Sequence, residues 1–503
     1  MGSSNARAVS SMRRALQLPG LSGILLTGFW ATHAFAVEPA DTDIPIPTRE
    51  PTEAEQAAAA PASAGAEPAA SVAEPAGKAK IGDISVSGYL RGGFGASNQK
   101  GRMTCFALAL PGGLASKYRL GNECEVWSET QFNIVAYAGD DGSVATVHIM
   151  PTVYIPTTYI GYPPAATTSS PAQYTTSTGA TVSFPTLYVD VAGVPWLGGG
   201  TAWLGTRYYK RESVYISDFF YWNPSGVGGG VEDIHLGSDL RLSYAVFAVD
   251  GEPKSADTSS PPLPMQVDFG FRNDLQLRGI RPYAGGEFQI GFQYIADYSN
   301  NHDANGDAVT HSGWGLTVQH VQQLLGGENK LAFQYGRGGG TGFGTVSRFY
   351  YPDFSLYFDP SAYNRTRFVD VLTIQPMAAL GAQLNFVYQH DDQGNSGQKT
   401  NWYSAGTRLA YAFTKHAKLL GEAGYDLVKK SNGSDPQWLA KFTIAPALTA
   451  GEGFWMRPEL RLFYTWAVWN EAARTATIDS GRVYTTTDLL SGANFGLQAE
   501  TTW

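Results

Sequence analysis

Charge is scarce in this 503-residue chain: Asp, Glu, Lys and Arg make up 16% of it, against about 25% in ordinary soluble domains. Cysteine is scarcer. Only Cys105 and Cys124 occur, which excludes a disulfide-dense scaffold. In an oxidising compartment the two would form one small-loop bridge, and the alternative is a pair of free buried thiols. No run reaches the ~18 consecutive apolar residues that a membrane helix needs. A membrane location would therefore require a closed barrel, because lipid offers backbone N–H and C=O groups no partners. Basic excess is also missing. The formal net charge is −9 and the pI is near 5.4, which argues against nucleic acid as a partner and fits either a solubility surplus or an acid-lined lumen.

Signs of catalysis are absent too. No Ser/His/Asp set stands at hydrolase spacing. Gly338-Gly339-Gly340 follows no strand-to-helix pattern, so it is no phosphate loop. His390-Asp391-Asp392 could ligate a metal, but it reads as a solvated loop at a strand end. Asp140-Asp141-Gly142 reads as a turn. The chain is expected to be no enzyme, with no cofactor and no metal.

What is abundant is glycine, 58 residues, and aromatic rings, 13%. That pairing with low charge fits a barrel whose outer band faces lipid. The chain falls into three parts. Residues 1–36 have a positive start at Arg7, Arg13 and Arg14, an interrupted apolar stretch, and an Ala34-Phe35-Ala36 cleavage pattern, and read as a secretory signal. Residues 37–80 are rich in Ala, Pro and Glu and read as a disordered periplasmic tether. From residue 81 to 503 the pattern has period two. Strand candidates are 84–91, 133–138, 146–155, 202–209, 240–250, 266–277, 287–295, 314–319, 330–336, 369–375, 383–390, 404–413, 418–427, 440–448, 455–466 and 497–503. At roughly ten residues per strand the region holds about 16 to 20 strands. The rest of 201–230 has too many residues and glycines for a hairpin turn. It reads as a long loop that folds back and narrows a channel.

In a membrane barrel, lumen and lipid faces alternate along each strand. Tyr89 shares parity with Arg91; Trp127 with Glu125 and Glu129; Trp455 with Arg457, Glu459 and Arg461. Lipid would penalise those charges by about 2–4 kcal/mol near mid-membrane, so all three rings should point into water. A flat ring exposed in a channel can stack on the C–H face of a sugar ring, while neighbouring charges hydrogen-bond its hydroxyls.

Several runs resemble the maltoporin family of outer-membrane sugar channels: RYYKRESVYISDFFYWNPSGVGGG (207–230), SKYRLGNECE (116–125), the Tyr-x-Arg pair in SGYLRGGFG, FWMRPELRLFYTW (454–466) and the terminal FGLQAETTW. The resemblance covers residues 84–503. It implies an all-β, closed antiparallel transmembrane barrel of about eighteen strands, with a third loop folded inward as the constriction. It implies a Cys105–Cys124 bridge in the first loop, a homotrimer, and an outer membrane of a Gram-negative bacterium, reached after cleavage near Ala36. By motif, Tyr89, Trp127 and Trp455 take positions on an aromatic sugar path. Arg91, Arg119, Glu129, Arg211 and Asp218 take its polar flanks, and Phe220 stands where the family has a constriction tyrosine. There are departures. Leu316 stands at a path position that is usually Phe, Thr502 replaces an inner Trp, and Ser213 replaces an acid beside Arg211. The expected function is facilitated diffusion of maltose, maltodextrins or another small glycan, with oligosaccharide and lipid as partners. The rivals are a general diffusion porin without sugar preference and a secreted, β-rich glycan-binding protein or hydrolase.

Overall fold

The computed structural model describes residues 79–111, 116–156, 174–175, 180–237, 239–250, 269–298, 301–302, 308–310, 312–342, 360–394, 398–479 and 489–503. The expected signal segment and nearly all of the tether lie outside the described residues.

Period-two alternation becomes eighteen antiparallel strands that close on themselves. In chain order they are β1 (Ile84–Ser97), β2 (Glu125–Ala138), β3 (Val144–Pro156), β4 (Thr181–Val194), β5 (Gly200–Arg207), β6 (Gly226–His235), β7 (Arg241–Asp250), β8 (Phe269–Tyr283) and β9 (Gly286–Asp297). The second half is β10 (Gly313–Leu324), β11 (Gly327–Gly338), β12 (Asn364–Met377), β13 (Leu380–Asp392), β14 (Lys399–Thr414), β15 (Ala417–Lys430), β16 (Gln437–Thr449), β17 (Glu459–Trp469) and β18 (Ser491–Thr502). Each pairs with the next, and β1 closes on β18 with Tyr89 opposite Thr502. The pairing continues to the last residue: Gly88 and Trp503 exchange both backbone hydrogen bonds, at 2.9 and 3.1 Å. No free edge remains in the wall, as a membrane demands.

One rim carries short turns and the other long connections, the asymmetry of outer-membrane barrels. The outward face is an apolar band. Phe94, Leu204, Phe333, Phe386, Phe442, Leu462 and Phe495 are all more than 40% exposed. The hydrophobic core lies inside the barrel. Leu108, Tyr118 and Leu120 of the first long loop and Val214, Ile216, Phe219, Tyr221 and Trp222 of the third are essentially buried. They pack with small inward residues of the wall, among them Ala332, Ala445 and Ala467. Tyr118 shows the fit most directly. Its ring lies against both Gly406 and Gly424, a paired couple on β14 and β15, and a Cβ at either would collide with it.

Sixteen of the strands overlap the sequence candidates. Two do not. β4 contains Pro185, and β6 begins in Gly226–Gly230, which by composition reads as turn. Those glycines serve wall packing: a Cβ on Gly228 or Gly230 would collide with the carbonyl of Val246 or Tyr244 on β7. Three further expectations are corrected. The 455–466 strand starts at Glu459, so Trp455 sits on the connection before it. His390-Asp391-Asp392 ends β13 and is no loop; Asp391 is buried and ion-paired with Arg365. Leu316 lies opposite the outward Phe292 and Tyr335, while its neighbours Gly315 and Thr317 are buried inside. Strand parity therefore removes Leu316 from any path through the lumen.

Candidate functional site: the lumen and its constriction

The third long loop, residues 208–225, enters the lumen as a small hairpin. Glu212–Val214 pairs with Phe219–Trp222 across a 3-10 turn at Tyr215–Ser217. Asp218 ends that turn in a left-handed conformation, φ 54°. Inward polar side chains strap the hairpin to the wall on several sides. Gln383 accepts from the Ile216 N–H at 3.1 Å, Gln319 accepts from the Tyr221 hydroxyl at 2.6 Å, and Arg367 donates to the Tyr221 carbonyl at 3.2 Å. Glu212 receives Lys330 at 2.8 Å and Arg278 at 3.2 Å. Phe219 packs edge-on to Trp402 at 5.0 Å. The expected inward fold of this loop is present.

Around it lie the residues singled out by sequence. Arg91 holds Asp218 through two hydrogen bonds, 3.1 and 3.0 Å. Arg119 is only 2% exposed. It donates to Glu123 at 2.7 Å and to the Tyr89 hydroxyl at 2.6 Å, and lies 4.9 Å from the centre of the Tyr215 ring. The Tyr89 hydroxyl in turn donates to Glu500 at 2.8 Å, and Tyr215 donates to the other Glu500 oxygen at 2.6 Å. Trp455 sits edge-on to Tyr215, 4.8 Å between centroids, and edge-on to Phe454, and Tyr215 in turn hydrogen-bonds Glu500. Tyr89, Arg91, Arg119, Asp218 and Trp455 are thus brought together by the tip of the third loop.

Trp127, Glu129, Arg211 and Phe220 form a second group. The Trp127 indole N–H donates to Glu129 at 3.0 Å, and Tyr208 donates to the same carboxylate oxygen at 3.3 Å. The Arg211 guanidinium lies 3.5 Å from the centre of the Tyr208 ring and 4.9 Å from that of Phe220. Tyr154, the cross-strand partner of Trp127, meets it edge-on at 6.2 Å. Beside this group opens a cavity of about 520 Å³, walled by β1–β5, the third loop, Arg278 on β8 and the short-turn ends of β9–β11, with Thr502 and Trp503 at its edge. Thr502 does therefore reach the lumen.

Charge in the loops follows burial and pairing. Burial pushes the Glu123 carboxyl up, but Arg91, Lys117 and Arg119 outweigh it and hold the group well below the usual carboxylate range. Asp218 behaves alike: burial raises it, and Arg91 and Arg119 bring it below its ordinary value. Among the described residues the inner carboxylates are largely paired with cations. Cys105 and Cys124 are bridged, with Cα atoms 5.8 Å apart, which ties the first loop beside Glu123.

The chain matches the LamB porin family over residues 84–503, which takes in every barrel strand. It belongs to that family. As a LamB porin it is an outer-membrane porin. Among solved structures the barrel is similar to the outer membrane channel DcaP of Acinetobacter baumannii, at 12% identity over 85% of this chain and 99% of that one, TM-score 0.41. It is also similar to opdK from Pseudomonas aeruginosa, at 9% over 84% and 100%, TM-score 0.42. A third is OccD3 of Pseudomonas aeruginosa, at 10% over 84% and 92%, TM-score 0.40.

Sequence reasoning missed Tyr154 and Tyr208 in this LamB porin. Tyr154 was within reach, since pairing β3 against β2 by parity sets it opposite Trp127. Tyr208 was not: the expected 202–209 strand ends at Arg207, so Tyr208 stands in a loop, where no period sets direction.

Proposed function

We propose that this LamB porin is a carbohydrate-selective channel that passes small glycans by facilitated diffusion. Tyr89, Trp127 and Trp455 form its aromatic path. Arg91, Arg119, Glu129, Arg211 and Asp218 are the polar flank, and Phe220 stands at the constriction. The observation that carries the reading is the cluster of Trp127, Tyr154, Tyr208 and Phe220 around Glu129 and Arg211. Half-buried rings beside carboxylate and guanidinium groups offer a sugar both a stacking face and charge-assisted hydrogen bonds. Binding is weak by design, because conduction requires exit as well as entry. Residues 1–36 serve as a cleaved signal and 37–80 as a periplasmic tether, and the working assembly is a homotrimer in the outer-membrane lipid of a Gram-negative bacterium. The test is block of single-channel current by maltose and longer maltodextrins. Trp127→Ala should raise the half-blocking concentration about tenfold, the loss of roughly one stacking contact. Block unchanged in that variant removes the aromatic path from the account.

The outward side chain of Leu316 and the polar Thr502 favour a second reading, a general diffusion porin with a shortened path. Liposome swelling separates the two. Equal rates for maltose and an unrelated solute of equal size support the general pore.

A further inference from the structure

Most rings around the third loop are already engaged face-on by protein. Arg211 lies over the Tyr208 ring at 3.5 Å and over Phe220 at 4.9 Å. Tyr188 is stacked on His148, 4.2 Å between centroids with planes 8° apart, and carries Arg207 at 4.5 Å. A pyranose could use a face so occupied only by displacing a cation that the ring already attracts. Tyr89 is only 3% exposed, and its hydroxyl is held between Arg119 and Glu500. Its ring reaches the cavity by little more than an edge.

Trp127 and Tyr154 are engaged differently. They are cross-strand partners on β2 and β3 and meet edge-on, 6.2 Å between centroids with planes 69° apart. An edge contact leaves at least one broad face of each ring clear of the other. Tyr154 is 37% exposed and Trp127 is half-buried. The Trp127 N–H donates to Glu129 at 3.0 Å, which fixes the tilt of the indole. Two planes set at this angle make a corner for one sugar ring: one plane meets its C–H face and the other its edge. The corner also stands alone. Around the wall the order runs from Trp127 on β2, through Tyr89 on β1 and Glu500 on β18, to Trp455 just before β17. Tyr89 is the ring that would pass a chain of sugars from Trp127 toward Trp455, and its burial breaks the line there.

We propose that this channel holds one sugar ring at a time, in the corner of Trp127 and Tyr154, with Tyr154 as a specificity-determining residue. Binding then gains nothing from the length of a saccharide, and the substrate class is mono- and disaccharides. The proposal rests on the glycan-channel reading above and narrows it. A continuous path of rings would tighten binding about two- to tenfold for each added sugar. In planar bilayers, maltose, maltotriose and maltohexaose are compared as blockers of the unaltered channel. Their half-blocking concentrations should agree within about twofold. Tyr154→Ala should raise all three alike by about threefold, the loss of one edge contact. Tyr154→Phe, which restores the ring without the hydroxyl, should restore the block. Current before sugar is added shows that each variant has inserted as an open barrel. Block that strengthens severalfold from maltose to maltohexaose, block unchanged in Tyr154→Ala, or no restoration by Tyr154→Phe overturns the inference and leaves the sugar channel standing. No block by any of the three sugars overturns both.

Discussion

Arg91 on the first strand and Asp218 in the third loop, 127 residues apart in sequence, are joined by two parallel hydrogen bonds. The pair fixes the inner loop to the seam where the barrel closes, since Arg91 lies opposite Glu500 on β18 and opposite Trp127 on β2. Its strength therefore sets the width of the pore as well as the stability of the loop. Asp218→Asn keeps the shape and removes the charge, and should cost about 2 kcal/mol. The measured consequence should be larger and noisier single-channel current, with the barrel still closed.

Acid should act on the same joint, but late. Glu123 and Asp218 are held below ordinary carboxylate values of 4.5 and 3.8 in the folded protein. A depressed folded value contributes stability that is complete above the unfolded value and is lost as pH falls through the folded one. Current and its noise should therefore stay flat from pH 7 to about pH 4, and noise should rise only in stronger acid. A rise centred on the ordinary carboxylate range would contradict the pairing.

Trp455 and Trp127 should differ when each becomes Ala. Trp455 supports the loop tip through Tyr215, a contact worth about 0.5–1.5 kcal/mol beyond buried area. Its loss should increase open-channel current along with any loss of sugar block. Trp127 touches Glu129 and Tyr154, so its loss should weaken block while leaving the open current near its original level.

The first loop is held by shape and by a covalent bond. Gly424→Leu would drive a side chain into the Tyr118 ring and should cost about 1–3 kcal/mol by overpacking, read from urea unfolding in detergent. Cys105→Ser opens a link across a sequence separation of 19 and should cost about 3 kcal/mol. It should also expose the first loop to protease, as a reductant would in the unaltered protein.

Much of the barrel was legible because its cause is local. A wall between lipid and water forces alternation at every strand, so parity alone set Tyr89, Trp127, Arg91 and Glu129 on the inner face. It failed where a residue's role is not set by its neighbours in sequence. Pro185 and Gly226–Gly230 look like breaks until the adjoining strands are present to need them. Trp455 obeys no parity because it precedes its strand, and Leu316 matched a motif position that its register turns outward.

By itself the sequence determined that the chain forms a closed β-wall with charged, ring-bearing positions inside, and in which order they come. The tertiary structure decided what those positions do there. Two loops narrow the lumen, so Glu500 binds Tyr89 and Tyr215 of the protein, while Arg211, Glu129 and Tyr208 line the open cavity. Which inward group meets a loop and which meets a passing solute depends on contacts hundreds of residues apart, and no periodicity along the chain encodes those.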